Sequence, residues 1–567
     1  MDNGRQDDPK ESDASECEAD AEREIDSLEI VEVFPKRDQN KSDRKVTIDT
    51  SGLEIIWPEE GTDEWYDFDV DVRTGELLGF SRRLDVHRWS EYPEVNDFIN
   101  RVYDEHLVQK NTNAKIRKKH LKVVLLDLYV AWCESPDLKI SMSRSPNDYS
   151  AGSVYNELSI SRTTIDVVDA LVPAGLICEK RGFYDRETAT GRQTRIWPTA
   201  LLVEMFREAK FSTFDISYSE DRLPVCLRDV EKNDQEFDVE ASGLEPQIEQ
   251  LKAYNKLLRE TFIAIPDLGD PVVETGDASQ VSSQYLIVSQ ANKFVRRVYN
   301  RGSFELGGRF TGGWWHNCPK HLRDRIYIDD HHTVEIDYSS LHPTMMYAEE
   351  GIDYWHDIGR DPYELGALSF QKDPQQLRDL AKSLMLILIN AKSREEVPNA
   401  IRHGARAGSW LKHLTNSQVN EAIDTVSNLH QPIAHRFHSD DGLRLQYLDS
   451  EITSKILDYF LAQDEPILTI HDSYIVRDGW HEDLELIMQS AFMDVVGVNV
   501  ATQLKYAGMT SEDITNELMA RYDFRQGVGT DQQEQEDLTL YRQTNPVRTD
   551  RYVRDLQFFT EWKESRQ

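Results

Sequence analysis

Three short segments in the second half of this 567-residue chain carry residue types that could do chemistry together. The first is Thr333-Val334-Glu335-Ile336-Asp337-Tyr338-Ser339-Ser340-Leu341-His342-Pro343. Val334 and Ile336 alternate with Glu335 and Asp337, the pattern of a strand with one buried face. A turn and a helix over 343–350 are expected to follow. A carboxylate at a strand end before a tight turn can offer a metal ion a side-chain oxygen, from Asp337, and a main-chain carbonyl, from Tyr338. Mg²⁺ suits sparse carboxylate sets completed by substrate phosphates. In the second segment, Arg378, Lys382, Leu386 and Asn390 recur every four residues, so a helix over 378–390 puts them on one face. Two cations one turn apart suit a triphosphate, and the apolar wall and amide beyond them suit a base and a sugar. Taken alone, this segment reads as a core helix with a solvated basic end. The third segment, Pro466 to Val476, holds two apolar β-rich runs around His471-Asp472, which predicts a hairpin with that dipeptide at its tip.

The order of these segments, strand carboxylate, basic helix, hairpin carboxylate, with Asp472 lying 135 residues after Asp337, resembles the palm and fingers of template-dependent nucleotide polymerases. Asp337-Tyr338-Ser339 resembles the first palm motif of the family A DNA polymerases, and Ser340-Leu341-His342-Pro343 is closer to the family B version. Arg378 and Lys382 match the family A fingers helix. His471-Asp472-Ser473 is similar to the family A His-Asp-Glu and identical to the His-Asp-Ser of single-subunit phage-type RNA polymerases. The resemblance covers about residues 290–479, a third of the chain. It implies two Mg²⁺ ions bridged by Asp337 and Asp472, with Arg378 and Lys382 neutralising phosphate charge and His471 and Ser473 near the primer end. Family A has Glu, and family B Tyr, where His342 stands under the incoming sugar. The stacking aromatic of the fingers is Leu386 here, and the tyrosine one turn later is Asn390, more like family B. No thumb is recognisable.

Upstream, residues 296–315 are basic, Gly-rich and aromatic, with Arg296, Arg297 and Arg309 beside Phe310, Trp314 and Trp315. Local positive charge is what a phosphate backbone requires, and aromatics can stack on bases. Arg296, Arg297 and Arg309 are therefore expected to bind primer and template. The alternative is a structural hairpin that packs both tryptophans inward. Gln446, expected to open a helix running to residue 462, is the family A counterpart for template and primer contact.

Composition bounds the rest. The net charge of −37, from 65 Lys and Arg against 102 Asp and Glu, excludes a simply basic nucleic-acid binder, so any phosphate contact must be local. Hydrophobic residues at 39% allow sizeable cores, and no apolar run approaches the roughly 20 residues of a membrane helix. Five scattered cysteines without a CxxC pair argue against a disulfide scaffold or cysteine zinc site. A cytoplasmic setting without membrane attachment is expected.

Along the chain the expectation is an acidic disordered tail over 1–45, a small mixed domain over 46–105, and a winged-helix-like domain over 106–212. A charged connector over 213–285, a palm and fingers module over 286–523 and a polar tail over 524–567 follow. The winged-helix expectation rests on helices over 121–134, 153–158 and 162–171 and strands over 176–181 and 192–197. It would turn Arg162, Thr163, Thr164, Arg186, Arg192 and Arg195 toward DNA. Asp238-Val239-Glu240 superficially matches a proofreading-exonuclease motif, but polar residues precede it where a strand is needed.

The fold class expected is α+β: an antiparallel palm sheet with helices and fingers, preceded by the winged helix. The function expected is Mg²⁺-dependent, DNA-directed DNA synthesis in a replication or mobile-element system, without a proofreading exonuclease. Its partners would be a DNA primer-template, nucleoside triphosphates and replication proteins. Two alternatives stand: an RNA polymerase or primase, and a non-catalytic winged-helix initiator with a palm scaffold.

Overall fold

The computed structural model describes residues 78–108, 113–185, 190–274, 285–405, 408–506 and 547–566. The acidic tail, the first part of the small mixed domain, Arg186 and the segment 507–546 lie outside the described residues. The fold is mixed α and β, with helices around small, mostly antiparallel sheets.

Two hydrophobic cores organise the chain. The first joins helices Pro93–His106, Ala114–Glu134 and Thr163–Leu171 to a four-stranded sheet. Its strand order is Ser81–Arg83, Lys139–Met142, Thr194–Pro198, Ile177–Lys180, with the first pair parallel and the others antiparallel. Helix Pro93–His106, on the near side of the boundary expected at residue 105, packs into this core. Val95, Phe98 and Val102 are buried in the same core as Leu121, Val167 and Ile196. Helix Ala114–Glu134 starts earlier than apolar periodicity alone predicts, where the Asn113 side chain accepts the Ile116 N–H. The expected helix over 153–158 is instead a run of turns, closed by Asn156, whose side chain donates to the Ile160 carbonyl and accepts the Ile160 N–H.

The second core runs from Val225 to Val500. It absorbs the expected connector: helix Glu245–Arg259 buries Ile248, Leu251, Tyr254 and Leu258 in it. Helix Asp550–Glu564 docks through Tyr552 and Phe559 onto Phe262, so the described part of the tail is packed. Arg88 holds residues 291–292, where Ala291 lies in the first core and the Asn292 carbonyl accepts the Trp314 N–H of the second. Its guanidinium donates to the Ala291 carbonyl and the Asn292 side chain and lies 3.5 Å from the fully buried Asp127 carboxylate.

At the centre of the second core lies an antiparallel sheet ordered Leu468–Ile470, Ser473–Arg477, Thr333–Tyr338, Thr502–Tyr506. Val334, Ile336 and Tyr338 are buried, while Glu335 and Asp337 alternate with them and are only half-buried. Tyr338 lies 5.8 Å from Phe492 of helix His481–Val496 and donates its hydroxyl to the Met488 carbonyl of that helix. Strands Arg296–Asn300 and Ser303–Thr311 form a bulged ribbon beside helix Gly442–Ala462.

That ribbon approaches the helix closely at Gly308, which has φ +76°. A Cβ there would meet Ser450 Oγ at 2.7 Å and Tyr299 Cε1 at 2.9 Å. Gly308→Ala therefore combines backbone strain with overpacking and is expected to cost about 2–4 kcal/mol. Gly351, at φ +75° with open space around it, should lose only about 1 kcal/mol on the same change. Urea denaturation of the two variants checks this; equal losses would mean the ribbon does not depend on that approach.

Candidate active site

The hairpin expected around His471-Asp472 forms as a two-residue loop, with Ile470 paired to Ser473. Such loops need a positive φ at a central position, which glycine usually supplies. Here His471 adopts it, at φ +54°. Ser340, which opens helix Leu341–Glu349, does the same at φ +57°. Strained non-glycine positions of this kind persist where surrounding structure enforces them, and they cluster at functional sites.

Register brings the two aspartates together. Asp337 pairs with Ser473, and the Tyr338 N–H donates to the Asp472 carbonyl at 3.2 Å. Both aspartates are half-buried. Among the described residues no group of three or more His, Cys, Asp or Glu side chains forms a ready metal cage.

A third carboxylate stands close by. Asp449, on helix Gly442–Ala462, is 1% exposed, and neither of its carboxylate oxygens has a hydrogen-bond partner among the described residues. Arg309 Nε lies 3.4 Å from it. Burial raises the Asp449 carboxyl to about 7, with Arg309 opposing and the Asp472 charge adding to the rise. An under-compensated buried acid beside a second carboxylate is an environment that a cation would relieve. Asp449 sits on the buried stripe shared by Leu445, Ile452, Thr453 and Ile456. An acid on the apolar face of an amphipathic helix is the signal that could have identified it.

Helix Pro374–Asn390 is capped by Asp373 and buries Leu377, Leu380, Ala381, Leu384, Met385, Leu388 and Ile389. The remaining face carries Arg378, Lys382, Leu386 and Asn390, with Lys382 and Asn390 exposed and Leu386 57% exposed. Arg378 Nε contacts the Asp361 carboxylate at 2.5 Å, and its guanidinium lies 5.6 Å from the Tyr363 ring centre. The buried Tyr363 hydroxyl, pushed up to about 12 by burial against a hydrogen bond with Ser340, also feels Asp472. Tyr363 thus links the basic face to the hairpin carboxylate. It and Asp361 lie in an irregular segment without periodicity, where sequence patterning is silent.

His342 lies at this junction. Its Nε2 is shut off from solvent without a hydrogen-bond partner among the described residues. Burial and the Arg309 charge lower its pKa to about 4 against the pull of Asp472, so the ring is neutral near pH 7.

Several expected contacts are corrected. Arg297 is 0% exposed, bonded to the Gly308 carbonyl, Ser450 and Glu451, and cannot reach primer or template. Phe310, Trp314 and Trp315 are core residues, which leaves them no face for a base. Ser473 is buried and donates to the Ile470 carbonyl, so its hydroxyl serves the hairpin. The Tyr338 side chain is in the core, which leaves the main-chain carbonyl, the group expected from the sequence, as what it could offer a metal. Asn390 donates to the Leu386 carbonyl of its own helix and abuts Gly442. Thr164 is 0% exposed and bonded to His120. Arg195 is held by the Leu78 and Gln193 carbonyls. Arg162 is exposed, and Arg296, Arg309, Thr163, Arg192 and Gln446 are half-buried. Gln446 lies one turn inside its helix, which begins at Gly442.

No protein-family model matches the chain, and no curated protein matches it. Among solved structures, the chain is similar to the POL domain of Pol1 from M. smegmatis in complex with DNA primer-template and dNTP. The match has 11% identity and a TM-score of 0.28, and covers 38% of this chain and 47% of that one, so the chain spans about half of that structure's length. No described helix is long and apolar enough to cross a membrane.

The Asp449 environment has a pH signature. Between about pH 4 and 7 the folded chain keeps a proton on Asp449 that the unfolded chain has released. Its contribution to stability is therefore full below about pH 4, declines between about pH 4 and 7 and is lost above that. Asp449→Asn removes this dependence. Without divalent cations, the stability of the variant relative to the parent should rise steadily from pH 4 to 7, then level off. A difference independent of pH, by urea denaturation, would contradict that environment.

Proposed function

We propose that the chain catalyses template-directed nucleotidyl transfer, joining an incoming nucleotide to a primer 3′ hydroxyl on a DNA template. The observation that carries this reading is the register that sets Asp337 opposite Ser473, beside Asp472, with the Arg378–Lys382 helix face linked to the hairpin through Tyr363. An antiparallel sheet that presents two carboxylates to a basic helix face is what the chemistry asks for: negative charge to gather cations, and cations to meet phosphates.

Asp337, Asp472 and the Tyr338 carbonyl would hold two Mg²⁺ ions, which when bound would activate the hydroxyl and offset charge on the leaving pyrophosphate. The Asp449 oxygens, beside Asp472 and without a hydrogen-bond partner among the described residues although Arg309 lies 3.4 Å away, fit a cation in this region. Arg378 and Lys382 bind the triphosphate, Arg378 exchanging Asp361 for phosphate oxygens. Leu386 offers an exposed apolar surface to the base. His342 lies under the sugar. His471, Gln446, Arg296 and Arg309 meet primer and template. Residues 78–216 act as a winged helix: the strand order, the helix Thr163–Leu171 and the ribbon Phe183–Asp185/Thr190–Arg192 support that reading, with Arg162, Thr163 and Arg192 toward DNA. A replication or mobile-element setting follows from this pairing of modules.

One observation favours ribonucleotides as the second reading. The unpartnered Nε2 of neutral His342 can pair with a 2′ hydroxyl.

Primer extension on a labelled DNA primer-template with Mg²⁺ tests the proposal, with deoxynucleotides and ribonucleotides in separate reactions. Extension is expected with one sugar and should vanish in Asp337→Ala/Asp472→Ala. Absence of extension with either sugar, while DNA still binds, would leave a non-catalytic DNA-binding initiator. In the same assay Arg378→Ala/Lys382→Ala should raise KM for the nucleotide at least tenfold while primer binding stays unchanged. An unchanged KM would remove the helix from the nucleotide site.

A further inference from the structure

Where the two cores meet, residues 216–222, helix Glu245–Arg259 and residues 290–294 enclose a cavity of about 420 Å³. Five lining side chains are cations, Arg222, Lys252, Lys256, Arg259 and Lys293, against one acid, Glu220. This reverses the balance of a chain whose acids outnumber its bases by 102 to 65. None of the five belongs to the candidate active site.

Their arrangement is ordered. Lys252, Lys256 and Arg259 follow the i, i+4, i+7 repeat, so they share one helix face over about 10 Å, and all three are exposed. The Arg222 guanidinium packs against a pair of rings in edge contact, 4.1 Å from the centre of Tyr218 and 3.9 Å from that of Phe294. Those contacts hold the group in place, and its Nη1 is buried without a hydrogen-bond partner among the described residues. Lys293 is buried, and its ammonium donates to the Arg259 and Thr261 carbonyls at 3.2 and 2.6 Å. Burial lowers the Lys293 pKa to about 7, against the pull of Asp329, so an anion in the cavity would favour the charged form that the carbonyls hold in place. The nearby acids are partly engaged elsewhere: Asp85 faces both Arg88 and Arg222, and Asp215, which faces Arg259, pairs with Arg566.

A fixed guanidinium with a spare donor, a fixed ammonium and a row of mobile cations converging on one cavity match several closely spaced anionic oxygens. We propose that this cavity is a second anion site that binds clustered phosphate groups. Two sources carry that chemistry, a free nucleoside triphosphate and the backbone of a nucleic acid. The proposal does not depend on nucleotidyl transfer, since it requires neither Asp337 nor Asp472.

The test uses the full chain and the Lys252→Gln/Lys256→Gln variant, whose exposed positions should leave the thermal midpoint unchanged. Arg259→Gln provides an independent second variant. Inorganic tripolyphosphate, without divalent cation, is titrated by calorimetry. A fluorescein-labelled single-stranded oligonucleotide is titrated by anisotropy at several salt concentrations. Tripolyphosphate affinity should fall at least tenfold in the double variant. If the backbone is the source, oligonucleotide affinity also falls, and the slope of log K against log salt flattens by about 1.4, two contacts at about 0.7 each. Loss for tripolyphosphate alone assigns the site to a free nucleotide, and loss for the oligonucleotide assigns it to the backbone. Unchanged affinity for both probes in both variants overturns the proposal.

Discussion

The hydrogen bond from the Tyr338 N–H to the Asp472 carbonyl stands for the constraint on which the rest of the site depends. It locks the register between strand Thr333–Tyr338 and the hairpin. In a sheet with one buried face, a slip of one residue exchanges the faces. Here it would expose Val334, Ile336 and Tyr338 and drive Asp337 toward helix His481–Val496. Burial of three apolar side chains therefore fixes where the carboxylate stands. The tight loop at His471 then brings Asp472 to the same level, at the expense of a positive φ on a non-glycine residue. Hydrophobic packing and charge placement are in this way the same event.

A second theme is how cations are used in so acidic a chain. Arg297 and Arg88 are buried and join elements: Arg297 links the bulged ribbon to helix Gly442–Ala462, and Arg88 holds residues 291–292 against the first core. Arg309 is intermediate, anchored beside Asp449 yet partly exposed. Lys382 is exposed on its helix. The same residue types thus serve as structural struts or as candidate phosphate ligands according to burial, and net charge carries none of this information.

The parts legible in the sequence were those with strong periodicity. The alternation around Asp337, the four-residue repeat from Arg378 to Asn390 and the paired apolar runs around His471-Asp472 each correspond to the element their spacing demands. What was not legible depended on contacts between distant segments. Arg297 and Arg296 are neighbours in one strand, and only the sheet's packing decides that Arg297 faces inward. Thr164 lost its expected role to a histidine 44 residues earlier in the chain. Residues 213–285 read as a connector because their polar loops mask the single apolar stripe of helix Glu245–Arg259. Asp449 and Tyr363 acquire meaning only beside Asp472, which neither approaches in sequence.

The central claim, that Asp337 and Asp472 act together on a divalent cation and a nucleotide, is tested most directly by Mn²⁺ titration. The binding would be followed by electron paramagnetic resonance with a nucleoside triphosphate present. The account predicts Mn²⁺ binding to the parent chain that is strengthened by the triphosphate and lost in both Asp337→Ala and Asp472→Ala. Binding of equal strength in the parent and both variants would contradict it.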